Sequence, residues 1–384
     1  MSALRVASSY IKRFQLEESF YIANIATLRE NIATWFDRLP TVRPHYAVKC
    51  NPDPVVLKTM VDDPRIGFDC ASAKEIHNVI GLGVEATRIL FAHPCKKRID
   101  MQIAHSSGVA TTVFDNKYEL EKIKRFYPSS NALMRISIDN PHARVQLGLK
   151  YGADPKEWRA LLTRAIDKGI RLKGVSFHVG SACTDANVFK RAIESAMKIV
   201  DDMRTYSTHA VDTIDIGGGF QKRHFLEMSD MIASVLSDMD VNDKGVHIIA
   251  EPGRYFVEDV FTFFTPIIGM RKRKKQEYFI ADGLYGSLNC VIYDKHTPEY
   301  RVLYSPLLSP PTGSSKYTSS VIWGSTCDSA DIVSKEAMLP DNLRVGDFIA
   351  FKNFGAYTLA GACDFNGMNF TNPPIFYEDG DLRT

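Results

Sequence analysis

The 384-residue chain has no run approaching the ~18 consecutive apolar residues that a membrane-spanning helix requires. Its first residues, MSALRVASSYIKRF, lack the apolar centre of a secretory signal, so a soluble, cytoplasmic protein is expected. There is no charge imbalance either: 47 basic against 45 acidic residues leave a formal +2, and the bulk field gives no reason for a nucleic-acid partner. The seven cysteines (Cys50, Cys70, Cys95, Cys183, Cys290, Cys327, Cys363) show neither CxxC nor CxH spacing. An odd, scattered set in a chain this long argues against a disulfide framework and against zinc, and no metal is expected. One basic run, 271-RKRKK-275, lies between two apolar strand-like stretches and reads as a solvated hairpin tip. What remains is average: 45% hydrophobic and 24% charged residues, in a length that suggests more than one domain.

Between residues 45 and 254, short apolar runs recur: HYAVKC (45–50), IGFDCAS (66–72), RILFAHP (88–94), VATTVFD (109–115), ALMRISI (132–138), GVSFHVG (174–180), VDTIDIG (211–217) and VHIIAEP (246–252). They are rich in Val, Ile and Phe and apolar on both faces, as strands of a covered parallel sheet are. Helical patterns separate them. In 53–63 Asp53 and Pro54 stand as N-cap and first position, and 185–203 repeats its apolar residues on one 3.6-period face. Eight strands alternating with helices predict a closed (β/α)8 TIM barrel over 24–262, with a doubly wound sheet as the alternative. After residue 260, strand-like runs alternate with Pro/Gly/Ser turns, which predicts a β domain of sandwich or barrel type over 263–384. Residues 1–23, with the strand-like Ser19–Ile22, are expected to join it, and 306–320 to form a surface loop.

Barrel active sites lie at the C-terminal strand ends. There the sequence places Lys49, Asp69 with Glu75 beyond it, Arg135, His178 with Ser181, Gly217-Gly218-Gly219, and Glu251-Pro-Gly253-Arg254. Each alone has a bland reading, such as a snorkelling lysine, a core histidine or a tight glycine turn. Together they describe one chemistry. A desolvated lysine is an amine nucleophile that bonds an aldehyde as a Schiff base. Three glycines let backbone N–H groups close around a phosphate, and a carboxylate opposite a pyridine nitrogen makes that ring an electron sink. The combination specifies pyridoxal 5′-phosphate.

The ordered motifs PHYAVKCN, FDCAS, SFHVGS, DIGGGF, AEPGRY, WGSTCD and GAYT resemble those of eukaryotic-type ornithine decarboxylases, in the alanine-racemase-like fold group of pyridoxal-phosphate enzymes. The resemblance covers about residues 15–370. It implies a homodimer with shared active sites that releases CO₂ from a diamino acid. Lys49 would carry the cofactor, Glu251 pair with its ring nitrogen and His178 stack on its face. Ser181, Gly217 to Gly219, Gly253, Arg254 and Tyr357 would hold the phosphate, and Asp69, Glu75 and Arg135 would support the Lys49 side. From the partner subunit, Cys327 would return a proton to the substrate carbon. Asp294 and Asp328 would bind the distal ammonium, with Tyr293 and Phe365 lining that end. Lys150 would pair with Asp331 across the dimer.

Departures from the family pattern are Ser325, where proline is common, and Ser329, where glycine is usual. Viral arginine decarboxylases of this family carry glutamate at the position of Asp294, so the aspartate favours ornithine over lysine or arginine. The protein inhibitor antizyme is the further partner that the resemblance raises, with 117–126 as a docking helix, although a solvated face is the favoured reading of that segment. The degradation-directing C-terminal tail of animal members is expected to be absent. A catalytically dead homologue is disfavoured by the presence of Lys49, Cys327 and Asp328, and a racemase by the cysteine loop.

Overall fold

In the computed structural model, residues 3–241, 243–311 and 315–380 are described. The chain divides into two compact units, Asn31–Tyr255 and Met1–Glu30 with Phe256–Thr384. It opens with an α-helix, Ala3–Phe14, and strand β1, Phe20–Asn24, both in the second of these units.

The first unit is the expected barrel. Its strands are β2 (Val42–Ala47), β3 (Gly67–Cys70), β4 (Ile89–Phe91), β5 (Thr111–Phe114), β6 (Asn131–Ile136), β7 (Arg171–Phe177), β8 (Thr213–Asp215) and β9 (His247–Ala250). All neighbours are parallel, and β9 closes on β2 with Ile248 opposite Val42. β3, β4 and β8 are buried at every position, which is why their sequences read as unbroken apolar runs. Register sets the site: Arg135 lies opposite Ser176, which lies opposite Asp215, while Asp69 lies opposite Ala47. The helix Pro54–Val61 starts as expected, Asp53 accepting the N–H groups of Val55 and Val56 at 3.0 Å each. Outside the strands, Trp35 packs with Phe220, Phe225 and Tyr255 at ring separations of 5.0, 5.5 and 5.6 Å.

The second unit is a curled eight-stranded mixed sheet. After β1 it uses β10 (Phe261–Lys272), β11 (Gln276–Ile280), β12 (Tyr300–Leu303), β13 (Tyr317–Trp323), β14 (Ile332–Pro340), β15 (Phe348–Phe351) and β16 (Ile375–Glu378). β1 pairs antiparallel with β10 and parallel with β16, so both ends of the chain build this unit. The basic run is the tip of the β10–β11 hairpin.

Three local expectations are corrected. The first barrel strand ends at Ala47, and Val48–Cys50 form a 3₁₀ turn, so Lys49 stands on a turn just beyond the strand. The helix Ala3–Phe14 was not anticipated; it buries Ala3, Val6, Ala7 and Ile11 against Phe20, Phe264 and Phe348. Of the loop expected over 306–320, residues 317–320 belong to β13, paired with β14, and 312–314 lie outside the described residues.

Candidate active site

Lys49 extends from its turn to the carboxylate of Asp69 on β3, which is 1% exposed, while its own side chain remains 41% exposed. Glu75 lies in the first turn of the helix Ala73–Gly81, whose N-cap Ser72 accepts the Glu75 N–H at 3.3 Å. The Glu75 carboxylate turns back to accept the Ala71 N–H at 2.6 Å, which ties the end of β3 to that helix. Burial raises its pKa above the usual carboxylate range. Arg135, on β6, is buried with its guanidinium over the Tyr151 ring at 5.6 Å.

His178 follows β7. Its Nδ1 accepts the Gly180 N–H at 2.9 Å, so a neutral ring carries its proton on Nε2. Burial, then the charges of Arg135 and Lys49, push the imidazole well below its ordinary value and keep it neutral. Glu251 follows β9, and its N–H donates to the Gly217 carbonyl at 2.7 Å. Burial, reinforced by Asp215 and Asp69, raises its carboxyl well above the usual range.

Asp215 had no role assigned from sequence. It ends β8, is fully buried, and accepts the Gly217 N–H at 2.9 Å while facing the Glu251 carboxyl. Burial pushes it to about 6. The available signal was a lone acid closing an apolar strand, 213-TID-215, directly before the glycines.

Those glycines are structurally obligatory. Gly217 has φ +65°, and a Cβ there would lie 2.1 Å from the Phe177 carbonyl oxygen. A Cβ on Gly218 would lie 2.8 Å from both the Glu251 main-chain carbonyl oxygen and His178 Nε2. At Gly253 it would meet Cys50 Cβ at 2.7 Å, so this glycine lets the turn after β9 pack against the Lys49 turn. Arg254 Nη2 donates to Ser181 Oγ at 3.2 Å. The barrel thus joins Lys49, Asp69, Glu75, Arg135, His178, Ser181, Gly217 to Gly219, Glu251, Gly253 and Arg254 at its C-terminal strand ends. An amine, a side-chain-free backbone cradle with an arginine and a serine, a neutral imidazole and a buried carboxyl together fit pyridoxal 5′-phosphate.

The second unit gathers another set. The Cys327 thiol is exposed, and its N–H donates to Asn366 Oδ1 at 3.1 Å. The Asp328 carboxylate accepts the Tyr285 hydroxyl and the Ala330 N–H, the latter at 2.9 Å, and these bonds hold it below the ordinary value. Phe365 stacks on Tyr285 at 4.2 Å and 17°. Tyr285, which ties these residues together, was missed; its only sequence signal is its place in the glycine-bounded turn 283-GLYG-286. Asp294 is buried at the end of the short helix Cys290–Tyr293, whereas the Tyr293 side chain is 73% exposed and projects to solvent. Tyr357 occupies the left-handed region at φ +56°. Asp331 is 1% exposed and accepts the Leu284 N–H at 2.7 Å and the Thr326 hydroxyl and N–H at 2.7 and 3.2 Å. Within its own chain it shapes the cysteine loop, while Lys150 is exposed beside the Tyr151 ring at 5.2 Å.

A closed parallel barrel with a lysine, a buried carboxyl pair and a glycine cradle at its strand ends, accompanied by a separate β unit, defines a barrel-type pyridoxal-phosphate enzyme. Residues 25–258 match the pyridoxal-binding domain of pyridoxal-dependent decarboxylases, and the chain belongs to that family. It is 40% identical over 375 residues to the ornithine decarboxylase of Schizosaccharomyces pombe, covering 95% of this chain and 84% of that one. It is 39% identical to the ornithine decarboxylase of Mus musculus, covering 94% and 80% respectively. Among solved structures, the Paramecium bursaria Chlorella virus arginine decarboxylase bound to agmatine superposes with a TM-score of 0.90 at 36% identity, covering 98% of this chain and 100% of that one.

Proposed function

We propose that this chain decarboxylates L-ornithine to putrescine and CO₂, using pyridoxal 5′-phosphate, as a homodimer with shared active sites. When bound, the cofactor withdraws electrons from the carbon that loses CO₂. The observation that carries the reading is the Cys327–Asp328 turn, where an exposed thiol and a carboxylate clamped by Tyr285 stand side by side.

Lys49 supplies the amine that holds the cofactor, His178 covers its ring, and Glu251 meets the ring nitrogen. Ser181, Gly217 to Gly219, Gly253, Arg254 and Tyr357 hold the phosphate. Cys327 Sγ carries the proton that replaces CO₂ on the substrate carbon, with water kept away. Asp328 and Asp294 bind the distal ammonium, with Phe365 lining that end. Leaving such a carboxylate unpaired penalises monoamino acids by roughly 2–5 kcal/mol.

In the dimer, Lys49 of one barrel works with Cys327 of the other chain, and Lys150 meets Asp331 across the contact. All seven cysteines are free, three of them exposed, which suits a reducing, cytoplasmic setting. No helix among the described residues is long and apolar enough to cross a membrane.

The test compares ornithine, lysine and arginine with the purified holoenzyme; ornithine should give the highest kcat/KM, and borohydride should fix the cofactor to Lys49. Lys49→Ala and Cys327→Ala chains should each be nearly inactive, yet mixed under subunit exchange should recover roughly a quarter of wild-type activity. Preference for lysine or arginine overturns the substrate, a label on another lysine overturns the anchor, and exchange without recovery overturns the shared site.

A further inference from the structure

Asp282 lies just beyond β11, is 1% exposed, and belongs to no chemistry described above. Its Oδ1 accepts the N–H groups of Gly283 and Ser287 at 2.6 and 2.8 Å, folding 283–287 into a closed turn. The turn is built tightly around that carboxyl, since a Cβ on Gly286 would lie 2.5 Å from Asp282 Oδ1. The buried hydroxyls of Ser287 and Tyr21, the latter on β1, face the same group. Burial pushes the acid to about 7.

Three recognition elements hang from this turn. Tyr285 stands inside it and clamps Asp328. The short helix Cys290–Tyr293, which ends at Asp294, follows directly. Asn289 Nδ2 donates at 2.6 Å both to the Gly286 carbonyl and to that of Thr358, the neighbour of Tyr357. One buried carboxyl therefore closes the segment that carries one proposed ammonium contact, Asp294, and the tyrosine that clamps the other, Asp328.

We infer that Asp282 is a positioning residue for recognition of the substrate's distal ammonium, acting through the 283–294 segment on Tyr285, Asp328 and Asp294. The inference rests on the diamine reading of the site. A burial this complete would be wasteful for a surface turn, but it suits one that must hold two carboxylates at a fixed spacing.

The experiment uses holoenzyme and two probes differing only in the distal charge, putrescine and n-butylamine, as inhibitors of ornithine turnover. Asp282→Ala should raise KM for ornithine about tenfold with kcat within about threefold, because ammonium binding is shared by ground and transition states. The inhibition constant of putrescine should rise about tenfold while that of n-butylamine stays within about twofold, a selectivity that general destabilisation does not produce. Asp282→Asn, which retains the Oδ1 acceptor, should keep the wild-type ratio. Should Asp282→Ala not fold, Asp282→Glu displaces the acceptor against Gly286 and should shift the ratio in the same direction. An unchanged diamine-to-monoamine ratio in the folded Ala or Glu variant, or an equal loss in Asp282→Asn, overturns the inference. A wild-type enzyme inactive on ornithine would instead overturn the functional reading.

Discussion

Alanine substitutions in the glycine cradle test whether it is shaped by space or by backbone conformation, because two adjacent glycines differ in cause. Gly217 has φ +65°, and its added Cβ would lie 2.1 Å from the Phe177 carbonyl oxygen. The left-handed backbone costs about 1–2 kcal/mol for a non-glycine residue. An overlap of this depth against backbone forces a local shift, at about 1–3 kcal/mol more. Gly217→Ala should therefore destabilise the barrel by about 2–5 kcal/mol. Gly218 carries no conformational cost, and its Cβ would press at 2.8 Å on the Glu251 main-chain carbonyl oxygen and on His178 Nε2. About 1–3 kcal/mol is expected there, and its main effect should be to displace the His178 imidazole proposed to cover the cofactor ring. Urea unfolding of the cofactor-free chains reads the first quantity, and titration with pyridoxal 5′-phosphate followed by its visible absorbance reads the second. Gly217→Ala should lose more stability than Gly218→Ala, and both should bind cofactor at least about fivefold more weakly, the equivalent of about 1 kcal/mol. A Gly217→Ala chain as stable as wild type, with unaltered cofactor affinity, would refute the cradle argument.

Two other outcomes follow from charges. Asp328→Ala should cost about 2–4 kcal/mol in kcat/KM for ornithine, and an unchanged kcat/KM would place distal recognition elsewhere. Lys96 is fully buried against Glu119 at 2.8 Å, and burial lowers its amine to about 8 from an ordinary 10.5. Because the folded value is depressed, the unfolded chain binds more protons between those values, so stability should rise with pH from about 8 to about 10.5. Thermal unfolding of Lys96→Met against wild type should lose that rise; parallel curves would show that Lys96 does not titrate in this range.

Much of this was legible because barrel chemistry is local in sequence. Each strand run is followed within a few residues by its functional group, as in FDCAS or DIGGGF, and strand-end placement then converges them. The boundary at Lys49 was misread because Val48 and Cys50 are buried and apolar, as strand residues would be, though their backbone is a 3₁₀ turn. The helix Ala3–Phe14 was passed over because its apolar stripe is short and lies among polar residues. Tyr285 could not be read from pattern at all: its partner Asp328 is 43 residues away, and only folding shows that the hydroxyl meets that carboxylate. Asp282 was hidden for the opposite reason, since its partners are nearby backbone N–H groups that any residue but proline would supply.

The buried acids of the barrel pose the remaining physical question, since Asp69, Asp215 and Glu251 are at most 6% exposed and desolvation opposes every negative charge among them. Burial raises both Asp215 and Glu251, each also feeling the other's charge or hydrogen bond. Two buried carboxyls that face one another disfavour a second negative charge, which is why both are raised. Beside them, Asp69 forms an ion pair with Lys49. His178 stays uncharged, its proton on Nε2 and its Nδ1 occupied by the Gly180 N–H. Asp215 therefore does more than brace Gly217. Its charge adds to burial in raising the Glu251 carboxyl, and a cationic ring nitrogen facing Glu251, as proposed, would lower it again. The Lys49 side chain, 41% exposed, remains within reach of solvent beside this neutral imidazole and these raised carboxyls.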